Sequence, residues 1–262
     1  MSVLAAKILL APTFVVGASL AARRYGARIG GLVGGLPVVA GPILLVFALE
    51  NGRAFAAKAA AGTLLGTVSL MVFILVYSHL SRRARWGASL LAGWCAFFAM
   101  TGALSVLSIA AATALAVAFA SIALTLAALP RGVGERSSEE APPGWDLPLR
   151  AVSALALVLA LTALAGQLGA SLSGLLAPFP VVASVLAVFT HAQSGEGDLL
   201  RIMRGFLMGL VAYALFCFAL AVTLESLSIA AGFLLATAIA LATQAVALTL
   251  TLRRHEPAPE PL

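Results

Sequence analysis

Residues 26–42 read GARIGGLVGGLPVVAGP, and residues 169–185 read GASLSGLLAPFPVVASV. Slid together at an offset of 143, Gly26-Ala27 meets Gly169-Ala170, Gly31-Leu32 meets Gly174-Leu175, and Pro37-Val38-Val39-Ala40 meets Pro180-Val181-Val182-Ala183. Without a gap, Gly52, Gly62 and Gly66 then fall on Gly195, Gly205 and Gly209. Thirteen of the 43 positions from 26 to 68 are identical, where so biased a composition gives roughly a tenth by accident. Identities at Gly and Pro weigh most, because these residues mark backbone events and not mere apolarity. An offset of 120 aligns Leu107-Ser108-Ile109-Ala110-Ala111 with Leu227-Ser228-Ile229-Ala230-Ala231. That match is one block of common residues without Gly or Pro landmarks, and it reads as composition.

The surrounding chain names its solvent. Of 262 residues 62% are hydrophobic and 10% charged, with a mean hydropathy of +1.08. A soluble domain carries roughly a quarter of its residues as charges, so this one is expected in a lipid bilayer. Cutting at charged or Gly/Pro-rich breaks yields nine segments near the ~20 residues a helix needs to cross hydrocarbon: 3–22, 29–49, 59–80, 86–104, 106–129, 148–167, 171–191, 204–224 and 227–251. The expected fold is therefore an all-α polytopic membrane protein of about nine transmembrane helices. Thirteen of the 16 basic residues follow odd-numbered segments, leaving only Lys7, Arg53 and Lys58 on the other side. By the positive-inside rule the N-terminus lies outside and the C-terminus in the cytoplasm of a bacterial-type inner membrane.

On this parity helix 2 runs outward and helix 7 inward, which makes the two units an inverted-topology repeat. Helices 1–4 (residues 1–104) pair with helices 6–9 (148–252), with helix 5 and a cytoplasmic loop (105–147) as linker and 253–262 as a polar, Pro-rich tail. Helix 2 carries Gly34, Gly35, Pro37, Gly41 and Pro42; helix 7 carries Gly174, Pro178 and Pro180. Each proline deletes an intrahelical hydrogen bond, and in hydrocarbon the freed groups persist only against protein, water or ligand. Paired Gly/Pro-interrupted spans in inverted halves point to a transporter's binding site, so these eight residues are the candidate substrate-binding set. Two kinks that merely allow close helix packing are the structural alternative.

Few ionisable groups accompany them. Glu50, whose counterpart is Gln193, is a candidate coupling carboxylate or else a solvated helix end beside Arg53 and Lys58. His191, Glu196 and Asp198 read as a solvated loop whose spacing fits no metal motif. Cys95 and Cys217 read as buried apolar side chains and not as a metal or disulfide pair. Among span hydroxyls and amides, Thr13, Thr67, Ser69, Tyr77, Tyr213, Thr243 and Gln244 offer hydrogen bonds or else serve helix packing.

The expected activity is that of a secondary transporter or permease working by alternating access on a small metabolite or amphipathic molecule. No cofactor, no metal and no enzymatic activity are expected. A lipid or lipid-linked-intermediate translocase, a non-catalytic membrane subunit or scaffold, and a membrane-embedded enzyme are the alternatives. The partners are the bilayer and an unknown small-molecule or lipid substrate, with a homo-oligomer or partner subunit left open and nucleic acid excluded by the scattered basic clusters. A Ser138→Cys variant should react with an impermeant maleimide only after the membrane is opened; labelling from outside would overturn the orientation.

Overall fold

The computed structural model describes residues 3–107, 109–130, 144–165 and 174–253. Within them every regular element is a helix. These are α1 Val3–Tyr25, α2 Ala27–Gly34, α3 Ala40–Glu50, α4 Arg53–Leu80, α5 Trp86–Leu104, α6 Ala111–Ala128, α7 Asp146–Ala165, α8 Val181–Thr223 and α9 Ile229–Arg253. Five helical stretches, Arg53–Leu80, Trp86–Leu104, Ala111–Ala128, Gly174–Thr223 and Ile229–Thr251, are long and apolar enough to cross a membrane. Most of the expected loop 131–147, the tail from 254, and Gly169-Ala170 lie outside the described residues.

Two expected spans differ in outline. The stretch 29–49 is not one helix but α2 and α3, separated by a break at residues 35–39. Conversely, 171–191 and 204–224 are not separated by a loop: after a helical turn at 174–176 and a break at 177–180, α8 continues through residues 192–203. Gly195 breaks it with φ 77 and ψ −172, and Val182, Leu186 and Phe206 all approach Gly34, so α8 is two helical arms folded back on each other. The start and end of the second arm match α4, because Gly52, with φ 89 and ψ 167, caps α4 at the equivalent position. That backbone region is open essentially to glycine alone.

The same spacing recurs in the element ends. α4 and α8 end at 80 and 223, and α5 and α9 begin at 86 and 229. Each pair is 143 residues apart. At this offset the position equivalent to α6 begins at residue 254, outside the described residues.

α4 and α8 form the centre: 67% of the apolar window of each is buried, against 22%, 22% and 17% in α5, α6 and α9. α2 packs most extensively on α8, and α5 on α4. The peripheral helices turn Leu91, Leu124, Leu234, Leu241 and Leu250 outward, an apolar girdle that water would not tolerate at this extent. This is compatible with a multi-pass membrane protein. Cys95, expected inside, is exposed on that girdle while Cys217 is buried; an all-apolar helix has no hydrophobic stripe from which to read its inward face.

Gly52→Ala and Gly195→Ala should each lower stability by about 1–3 kcal/mol through backbone strain, read as a lower midpoint of thermal unfolding in detergent. Gly87→Ala, where a Cβ meets open space, should leave the midpoint unchanged or raise it.

Candidate functional site

The two breaks share one hydrogen-bonding pattern. Leu36 N donates to Val33 O at 3.2 Å and Phe179 N to Leu176 O at 2.9 Å. Across each following proline, Val38 N reaches Leu36 O at 2.8 Å and Val181 N reaches Phe179 O at 2.7 Å. The helix then restarts, with Gly41 N on Pro37 O at 2.8 Å and Ser184 N on Pro180 O at 2.7 Å. A bond from residue i+2 to residue i is an inverse γ-turn, and Pro180 at φ −73, ψ 51 occupies its centre. Proline suits this place because its fixed φ matches and it has no N–H to leave unpaired.

Glycines bring the breaks against the long helices. A Cβ at Gly31 would strike the carbonyl of Ile202, and one at Gly174 the carbonyl of Ala59. Likewise Gly209 lies on the carbonyl of Leu32, and Gly66 on that of Leu175. Adding 143 to one member of each first pair and subtracting it from the other produces the second pair. The close approaches therefore recur as a reciprocal set at the offset of 143.

Between the breaks lies a cavity of about 40 Å³, room for a few waters but not for a metabolite. Gly34, Gly35, Val39, Pro178, Pro180 and Tyr213 are among the residues lining it. Of the other candidates, Pro37 centres its γ-turn and Gly41 faces the ring of Phe216. Pro42 sits half-buried in the first turn of α3, and Gly174 packs on α4. Glu50 is exposed at the end of α3 and does not line the cavity. The Tyr213 hydroxyl is buried without a hydrogen-bond partner among the described residues. A buried unpaired hydroxyl costs about 1–3 kcal/mol, so a water or ligand group in this cavity would relieve it.

A second polar group is not apparent from the sequence. Asp146, fully buried, accepts from Nε of Arg150 at 2.9 and 3.0 Å and from Nε2 of Gln193 at 2.6 Å, and pairs with Arg23. Burial alone would raise the Asp146 carboxyl, but hydrogen bonds from Gln193 and Arg150, the Arg150 charge and Arg23 together hold it below its ordinary value. Only the i,i+4 spacing of Asp146 and Arg150 hints at this cluster; its other members come from 123 and 47 residues away. The expected loop around His191 is helical instead. Tyr77 Oη lies 3.4 Å from His191 Nδ1, Glu196 pairs with Arg82 at 3.2 Å, and Asp198 pairs with Arg201 at 2.7 Å. No group of three metal-ligating side chains occurs among the described residues.

No family model matches the chain, and neither a curated protein nor a solved structure matches it significantly.

Asp146→Asn should destabilise the fold by about 3–5 kcal/mol, since two guanidinium groups then face each other without a buried counter-charge. The wild-type pair should behave consistently with pH: a depressed folded pKa contributes stability above the ordinary carboxylate range, and that contribution is lost as pH falls through the depressed value. Tyr213→Phe should leave stability unchanged or raise it by about 1 kcal/mol; a large loss would mean the hydroxyl is bonded. Thermal unfolding across pH in detergent checks all three.

Proposed function

We propose that this chain is a secondary membrane transporter or permease, in which two units of opposite orientation exchange conformations around the paired breaks. The observation that carries the reading is the exchange of glycine contacts at an offset of 143, centred on a cavity where both breaks meet. Two similar halves related by a two-fold can adopt two mirror-related arrangements of nearly equal energy, and that is the physical basis of alternating access. A scaffold would not need γ-turns at matched places in both halves.

Opposite orientation of the units draws support from the long-range polar contacts. Arg23–Asp146, Arg82–Glu196, Tyr77–His191 and the bonds of Arg204 to the carbonyls of Leu129 and Pro130 join residues the arginine parity assigns to the cytoplasmic side. Arg53 donates to the carbonyl of Leu227 at 3.0 Å, joining two residues assigned to the outside. None of these contacts joins opposite faces. In this reading the turns at Gly52 and Gly195 are hairpins on opposite surfaces, and nine crossings place the N-terminus outside.

A lipid or lipid-linked translocase is the second reading. It is favoured by a large apolar cleft near the second break, lined by residues of α5, α7 and α8.

The mechanism makes a prediction that needs no substrate. Spin labels at Arg82 and Glu196, and separately at Arg53 and Leu227, should each show two distance populations in lipid nanodiscs. A disulfide joining the first pair should shift the second toward its longer distance. Pro37→Ala with Pro180→Ala should collapse both to one population while leaving the protein folded. One narrow distance on each face in the wild type would remove alternating access.

A further inference from the structure

Beside the crossing, α5, α7 and the first arm of α8 enclose a cleft of about 640 Å³, within the ~300–1,000 Å³ typical of small-ligand sites. Its lining is apolar apart from Ser153, Ser184 and Gln193. Trp86, Trp94 and Trp145 all line it, and they are the only three tryptophans in the chain. Trp86 opens α5 and Trp145 immediately precedes α7, both indoles exposed, where a membrane helix meets the headgroup layer. Trp94 lies two turns deeper, donating to Ser184 Oγ at 3.0 Å and stacking near Phe179, which borders the crossing cavity.

The end of the cleft at Trp86 and Trp145 is cationic. Arg83 and Arg85 stand exposed just before Trp86. Gln193, a lining residue, bonds both Asp146 and Arg150, and Arg150 sits 4.8 Å over the ring of Phe189 on the same wall. Two arginines against one carboxylate leave that buried cluster with a net positive charge. The N-termini of α5 and α7 point their amides the same way and add to the field. At the offset of 143, Trp86 and Trp94 correspond to Ile229 and Thr237, so this chemistry is not repeated at the equivalent positions.

We propose that the cleft binds an anionic phospholipid-class amphiphile from the bilayer, its aliphatic chain along Trp94, Leu149 and Val188 and its phosphate at the Arg83/Arg85 end. An apolar body with one positive, tryptophan-flanked end matches a molecule with one tail direction and a negative head. A soluble metabolite would leave the indoles unpaired, and a neutral lipid would make no use of the arginines. The assignment rests on the membrane-spanning arrangement but not on transport: binding can hold where conformational exchange fails.

The three tryptophans make the test direct. In dodecyl maltoside, phosphatidylglycerol with brominated acyl chains should quench roughly half or more of the tryptophan fluorescence saturably, at a mole fraction about tenfold lower than brominated phosphatidylcholine requires. Ala156→Phe, or Ala192→Phe from the opposite wall should the first not fold, fills the cleft and should raise the half-point about tenfold or more. Arg83→Ser with Arg85→Ser should abolish the preference for phosphatidylglycerol while quenching by both lipids remains. Quenching that rises linearly and ignores the filling variants would show only bulk contact and would overturn the site. Equal half-points for the two lipids in the wild type would overturn the anionic head.

Discussion

In hydrocarbon every backbone N–H and C=O must find a partner within the protein, and the rest of this structure is arranged around two places where the helix cannot supply one. Pro37 and Pro180 interrupt the ladder, and at each the chain answers with the same γ-turn. A broken segment survives only when enclosed, so both breaks are pressed against the most buried helices, α4 and α8. Glycine makes this possible: a methyl group at Gly31, Gly209, Gly174 or Gly66 would occupy the space of a facing carbonyl. Conventional helix packing distances of ~8–10 Å would leave the turns open to lipid.

Under the proposed duplication, the turns recur at equivalent positions while many side chains differ. Tyr213 faces the crossing cavity where its counterpart is Leu70, and both line it. Pro178 stands where the other unit has Gly35, and Trp86 and Trp94 of the lateral cleft answer to Ile229 and Thr237. Under the proposed duplication, shared turns preserve the two-state geometry, while the divergent side chains give each half its own chemistry. The polar inventory is correspondingly one-sided: the Asp146 cluster, His191 and the tryptophan cleft all lie around α7 and the first arm of α8.

What is readable in the sequence is the backbone, and what is hidden is long-range. Gly and Pro act through their own φ, ψ and missing N–H, so the breaks at 35–39 and 177–180 fall where those residues lie. The positive-φ turns at Gly52 and Gly195 are foreshadowed by the alignment for the same reason. Span limits are less legible, because hydropathy does not register that α2 stops at Gly34 or that α8 continues past Gln193. The outward face of Cys95 and the enclosure of Asp146 depend on neighbours distant in the chain, and no local pattern carries them. Glu50 draws attention as an acidic residue at a helix end, yet exposure keeps it apart from the cavity.

If the two units face opposite ways, one pair of equivalent positions reports it. Asn51 and Ser194 precede Gly52 and Gly195, two of the three positive-φ glycines among the described residues. In a background lacking Cys95 and Cys217, single cysteines at these positions would be exposed to an impermeant maleimide in right-side-out vesicles. The account predicts that Asn51→Cys labels at once and Ser194→Cys only after permeabilisation. Labelling of both from the same side would contradict it.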